Sequence, residues 1–170
     1  DLYSGNTDVI VAVIDSGVAL LHPEIVGEIW INSPELFHDG IDNDGNGYID
    51  DDVGWDFVDN DPFPLDENGH GTLGASLIAA SQNNGEGIAG VAPHAKIMAL
   101  RVFPDTGNAS AADILAAISY AALNGAQVIN LSLGGGPHSQ TAADAFDALD
   151  LLGILCVIAA GNGDAGNDGI

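Results

Sequence analysis

Positive charge is almost missing from this chain. Lys96 and Arg101 stand against 25 acidic residues, for a formal net charge of -23 over 170 residues. A surface of that sign repels phosphate backbones and anionic lipid headgroups, so neither nucleic acid nor a membrane is expected as a partner. Cysteine is reduced to Cys156, which excludes an intrachain disulfide. It lies in the apolar run Ile154-Leu155-Cys156-Val157-Ile158 with no basic neighbour in sequence to lower its pKa. It therefore reads as a small packing residue and not as a catalytic thiol. Long hydrophobic runs are missing too. The longest, Leu151 to Ala160, is too short to span a bilayer, and no secretory signal segment is visible. A first residue of Asp1 in place of Met fits a trimmed N-terminus, and an engineered start would look the same.

What is present is enough for one core. Hydrophobic residues make up 46% of a chain of single-domain length. Val9-Ile10-Val11-Ala12-Val13-Ile14 is unbroken and mostly β-branched, as a strand buried on both faces requires, and Asp15-Ser16-Gly17 then turns the chain. Residues 30–69 change character and read as loop, rich in Asp, Asn and Gly. Eleven of the acidic residues fall between Asp39 and Glu67. From His70 the sequence becomes small and apolar, consistent with a closely packed helix. A strand is expected over residues 96–102, then a helix with Ser110 and Asp113 placed as a capping box and Gly125 just past its end. Further expectations are a strand over 128–133, a helix over 140–152 and a strand over 154–160. Strands alternating with helices imply an α/β domain with a mostly parallel sheet.

Ligands of open α/β sheets bind at the carboxyl ends of the strands. Asp15 follows the first strand, Ser132-Leu133-Gly134 closes a middle one, and Asn162 follows the last in Ala159-Ala160-Gly161-Asn162. His70 opens a helix in Asn68-Gly69-His70-Gly71-Thr72, where the positive end of the helix disfavours imidazolium and leaves the ring able to accept a proton. Taken singly, each of these is also an ordinary turn or cap residue.

Taken together and in order, they resemble the subtilisin-like serine protease (subtilase) family. Val11-Ala12-Val13-Ile14-Asp15-Ser16-Gly17 resembles its aspartate motif, with His22-Pro23 following, and Asn68-Gly69-His70-Gly71-Thr72 its histidine motif. Gly90-Val91-Ala92-Pro93, Ile129-Asn130-Leu131-Ser132-Leu133-Gly134 and Ala159-Ala160-Gly161-Asn162 are similar to further landmarks, and the likeness runs from about Thr7 to Asn162. The resemblance implies a three-layer, parallel-sheet subtilisin-like fold, incomplete in this chain, with residues 1–170 forming the N-terminal portion of one peptidase domain. It implies that Asp15 orients His70, that His70 is the general base, and that the Asn162 amide donates to the oxyanion. Ser132, Leu133 and Gly134 would pair with a polypeptide substrate, and Ala159 and Gly161 would line a side-chain pocket. Two departures stand out. Leu73-Gly74-Ala75-Ser76 replaces the family's second histidine and Val-Ala-Gly, and no serine lies in a Gly-Thr-Ser segment. The resemblance therefore places the nucleophile on a missing or separate C-terminal segment or chain, and this chain alone is expected to be inactive. The other reading is a catalytically inactive calcium-binding module on the same scaffold.

Calcium is the expected cofactor. Asp42, Asp44, Asn46, Tyr48 and Asp50 alternate as in the start of an EF-hand-type loop, with Gly47 sixth, but Val53 occupies the twelfth position, so Asp51 or Asp52 would have to complete the set. Residues 38–67 are accordingly read as an acidic calcium-binding insertion; many bacterial subtilases have a similar Asp/Asn/Gly loop before the histidine that ends in Gly-Trp-Asp-Phe, here Gly54-Trp55-Asp56-Phe57. An acidic cluster without basic partners is costly unless a cation neutralises it. The resemblance implies a second site formed by Gln82, Asn84, Glu86 and Ile88 together with Glu24. An extracellular, secreted protein is the expected setting.

Overall fold

The computed structural model describes residues 9–134 and 139–161. Five strands form one sheet: β1 (Ile10–Asp15), β2 (Gly54–Asp56), β3 (Lys96–Arg101), β4 (Val128–Leu131) and β5 (Leu155–Ile158). Their order is β2-β3-β1-β4-β5, and every pairing is parallel. Three helices connect them: α1 (His70–Ala79), α2 (Ala111–Leu123) and α3 (Gln140–Leu152). β1 is therefore the central strand, flanked by β3 and β4.

A central parallel strand is covered on both faces, and side chains alternate between them. Val11 and Val13 pack with Ile97, Ala99 and the α1 residues Ala75 and Ala79. Ala12 and Ile14 pack with Met98, Leu100, Ile129 and the α2 residues Ala117, Ile118 and Ala121, a cluster that also takes in Leu149 of α3. The result is the expected three-layer α/β arrangement, with α1 on one face and α2 and α3 on the other. The small residues of α1 serve a purpose here. Gly71, Ala75 and Ala79 form its buried stripe, and a Cβ on Gly71 would lie 2.1 Å from the Gly17 carbonyl oxygen. Nothing larger than glycine lets the start of this helix sit against the turn after β1.

The helix ends follow the sequence closely. Ser110 caps α2, but its Oγ accepts from the Ala112 N–H at 3.1 Å and not from Asp113, so the full capping box does not form. Gly125 lies past the α2 end at φ +80°, in the left-handed region. The strands are shorter than expected: β4 stops at Leu131, and β5 covers only Leu155–Ile158. The larger difference is β2. The segment read as loop contributes an edge strand to the sheet, pairing Gly54 with Ala99 and Asp56 with Arg101. At the opposite edge, Leu155, Val157 and Ile158 of β5 are exposed, and no strand lies beyond β5 among the described residues.

Gly54 is the tightest point of the β2 pairing. Its φ is +130°, and an added Cβ would fall 1.9 Å from the Ala99 carbonyl oxygen. Gly54→Ala should cost about 1–3 kcal/mol of stability by forcing β2 off β3. Chemical denaturation of the variant checks this, and an unchanged midpoint would contradict the pairing.

Candidate active site

Asp15 is the last residue of β1, and its carboxylate is almost wholly withdrawn from water at 1% exposure. Its Oδ1 accepts from the Ser16 N–H at 2.7 Å and lies 2.7 Å from Nδ1 of His70. His70 opens α1 and is largely exposed. A carboxylate held against Nδ1 keeps the proton on that nitrogen, leaving Nε2 unprotonated and able to accept one. The two residues border a cleft of about 290 Å³ whose other walls include Phe103, Ser132, Leu133 and Gly134. Ser132 is close at hand, but its Oγ accepts from Asn130 Nδ2 at 2.9 Å. Ala159 and Gly161 follow β5, also at the carboxyl end of the sheet, and both are exposed. Asn162 lies outside the described residues.

Around this pair runs a network that the sequence did not advertise. Asp66 Oδ1 accepts from Ser16 Oγ at 2.9 Å and from the N–H groups of Asn68 and Gly69. Its Oδ2 accepts from the N–H and the hydroxyl of Thr72, at 2.8 and 2.5 Å. Burial alone would raise the Asp66 pKa, but these donors outweigh it and hold the carboxyl below its ordinary 3.8. Arg101, at the end of β3, is nearly buried and is shared among Asp56, Asp59 and Asp105. Desolvation opposes its charge, but these three carboxylates raise its pKa overall. The acidic segment is thus not without a basic partner, because Arg101 neutralises part of it.

Among the described residues Asp15, Glu24, Glu35 and Asp52 each keep a buried carboxylate oxygen without a donor, and two of these, Glu35 and Glu24, sit among further oxygen groups. In the first, ligand oxygens of Glu35, Asp42 and Asp44 lie within 4.8 Å of one another. Glu35 is buried, and its Oε2 has no hydrogen-bond partner. Burial raises the Glu35 pKa above its ordinary 4.5, with the charges of Asp51 and Asp44 adding to the rise and the Asp44 and Asn43 N–H groups opposing it. Glu35 precedes the loop motif and has no place in its spacing, so nothing local marks it as a ligand. Asn46 is beside this cluster, donating to Asp44 Oδ2 at 3.0 Å. Tyr48 turns its ring into an aromatic group with Trp55, Phe57 and Tyr120. Asp50 points elsewhere and accepts from the Gly40 N–H. Asp51 is fully buried and accepts from Asn32, Asn46 and the Tyr120 hydroxyl.

In the second place, Glu24 is buried with Oε2 unpartnered, while Oε1 accepts from Asn84 Nδ2 at 2.7 Å. A Cβ on Gly87 would lie 2.6 Å from that orphan oxygen, so the loop closes tightly over it. Gln82, Glu86 and Ile88 lie exposed on the same loop, and the Glu86 N–H donates to Asn84 Oδ1 at 3.2 Å.

The model of the subtilase family matches residues 6–169. The chain belongs to the subtilase family. Among curated subtilases, it is 40% identical over 162 residues to the thermophilic serine proteinase of Bacillus sp. (strain AK1), covering 95% of this chain and 35% of that protein. It is 39% identical over 157 residues to thermitase of Thermoactinomyces vulgaris, covering 92% of this chain and 48% of the relative. The chain thus spans between a third and a half of the length of these subtilases. Among solved structures, fervidolysin from Fervidobacterium pennivorans superimposes with a TM-score of 0.72 at 32% identity, over 96% of this chain and 22% of that one. A cold-adapted subtilisin-like serine proteinase gives 0.71 at 31% identity, over 95% and 49%.

The carboxyl environments fix the direction of their titrations. In calcium-free protein, carbon NMR should find Asp66 titrating below 3.8 and Glu35 above 4.5. Because the folded pKa of Asp66 is depressed, its stabilising contribution is complete above 3.8 and is lost as pH falls through the lower, folded value. An Asp66 titration at or above its ordinary value would contradict the network.

Proposed function

We propose that this chain carries the aspartate and histidine of an Asp-His-Ser triad in a serine endopeptidase, with the nucleophilic serine on a C-terminal segment beyond these 170 residues. The observation that carries this reading is the 2.7 Å contact between buried Asp15 and His70 Nδ1 at the mouth of a cleft. In this reading, Nε2 of His70 takes the serine proton as the hydroxyl attacks the peptide carbonyl. It then returns that proton to the departing amine, and water cleaves the acyl-enzyme by the same route. Asp15 does not take the proton. It holds the ring in one tautomer and stabilises the imidazolium that forms. The Asn162 amide donates to the oxyanion of the tetrahedral intermediate. Residues 132–134 leave the sheet as β4 ends, where a polypeptide substrate can lie alongside them, and Ala159 and Gly161 bound its side-chain pocket.

Calcium belongs to the same reading. Calcium takes six to eight oxygens, hard and anionic where possible. Glu35, Asp42 and Asp44 offer such a set, with Asn46 and the Tyr48 carbonyl available from the same loop and Asp51 behind it, while Asp50 would have to turn from the Gly40 N–H to join. Glu24, Asn84 and the loop through Gln82, Glu86 and Ile88 offer another, since an amide flip exchanges the oxygen and nitrogen of Asn84. The ion would supply the positive charge that these buried oxygens lack. An extracellular setting, where calcium is plentiful, suits loops of this kind.

Replacing His70 by Ala in the full-length protein should lower kcat/KM on a peptide substrate by about 10²–10⁴-fold or more. Turnover at the wild-type rate would rule out His70 as the base. Titrating calcium into chelator-treated protein should raise the thermal midpoint, by the linkage of binding to folding. Asp42→Asn and Glu24→Gln should each shrink that rise, and a midpoint indifferent to calcium would remove the ion from the account.

A further inference from the structure

Five hydrogen bonds converge on the Asp66 carboxylate, and they come from two separate parts of the chain. Four come from Asn68, Gly69 and Thr72, the residues on either side of His70. The fifth comes from Ser16 Oγ, next to Asp15. The same Ser16 Oγ accepts from the Gly71 N–H at 3.0 Å, so its direction is fixed and it bridges the two parts. The Ser16 N–H donates in turn to Asp15 Oδ1, the oxygen that meets His70.

Capping α1 explains only half of this arrangement. The N-cap residue is Gly69, with no side chain to offer, and a carboxylate near the helix start satisfies the free N–H groups and favours the positive helix end. A cap has no need to reach Ser16 on the far side of the turn. That second arm joins the carboxyl end of β1 to the first turn of α1 without passing through the Asp15–His70 contact itself.

We propose that Asp66 is a positioning residue, locking the carboxyl end of β1 to the first turn of α1 so that His70 is held on Asp15. Its value to turnover rests on the reading of that pair as catalytic; the lock itself does not. Without it, the Gly71 N–H still reaches Ser16 Oγ and the Ala19 N–H still reaches Thr72 Oγ1, but neither hydroxyl has the acceptor that fixes its direction. Displacement of a reacting group by about 1 Å can cost on the order of 10²-fold in rate.

The test uses the full-length protein and the far-downfield proton resonance of the hydrogen between His70 Nδ1 and Asp15. Asp66→Asn keeps the shape but turns one acceptor into a donor facing other donors. The resonance should shift or broaden away, and kcat should fall about 10- to 100-fold with KM changed less than about twofold, in protein shown to be folded by circular dichroism. Ser16→Ala cuts the second arm and frees the Gly71 N–H but leaves all four bonds from Asn68, Gly69 and Thr72 to Asp66, so it should move the resonance in the same direction by less. If both variants fold and keep the resonance and kcat, losing only thermal stability, Asp66 is a helix cap and the proposal is wrong. If Asp66→Asn does not fold, Ser16→Ala decides alone by the same measure. A wild-type protein that shows the resonance but cleaves no peptide would defeat the peptidase reading, while the variants' resonances would still decide this one.

Discussion

A carboxylate taken out of water at the end of the central strand is the constraint on which the rest of this structure turns. Asp15 is as buried as the valines and isoleucine that precede it. A buried charge is tolerated only with well-placed donors. The donors come from Ser16 and from His70, the first residue of α1, and both reach Oδ1, while Oδ2 has none. To bring His70 there, α1 must approach the turn after β1 closely, and its small-residue face makes that approach possible. The apolar layers, the glycine at position 71 and the loop leading into α1 thus answer to one electrostatic need.

The same logic runs through the acidic segment. With only two basic side chains in the chain, the fold places Arg101 where it serves three carboxylates at once. Where no arginine or lysine reaches, backbone N–H groups, asparagine amides and the Tyr120 hydroxyl take over. Asp51 is the clearest case: it is fully buried, yet fixed by Asn32, Asn46 and Tyr120, so it anchors the loop to the face of the sheet covered by α2. Glu24 and Glu35 each keep an oxygen beyond such help.

Much of this was legible in the sequence because local chemistry determined it. An unbroken β-branched run became the central strand, and Ser110 became a cap. Asp15 and His70, separated by most of the acidic segment, could be brought together only by family likeness, and the structure places them in contact. What escaped had no local signature. β2 is three residues of Gly-Trp-Asp, too short for alternation to register, and it exists because β3 offers an edge. Glu35 precedes the loop motif and joins Asp42 and Asp44 only through the fold of the chain. Asp66 looked like one more acid among many, and its importance lies in partners from two segments. Arg101 looked isolated because its partners are distant in sequence or hidden in an acidic run. Periodicity shows which face a residue takes, but not which remote groups will meet it.

The position of β1 has a consequence for the order in which the molecule can be assembled. This strand is made before both of its neighbours, pairing Ile10 with Lys96 and Val11 with Val128. A chain emerging from the ribosome therefore carries an apolar, β-branched segment that finds neither neighbour until much of the rest has been synthesised. Non-local parallel pairing of this kind is slow and leaves sticky surface uncovered meanwhile. The aspartate at the heart of the site is thus made well before the strands that flank it and waits on them for its final surroundings.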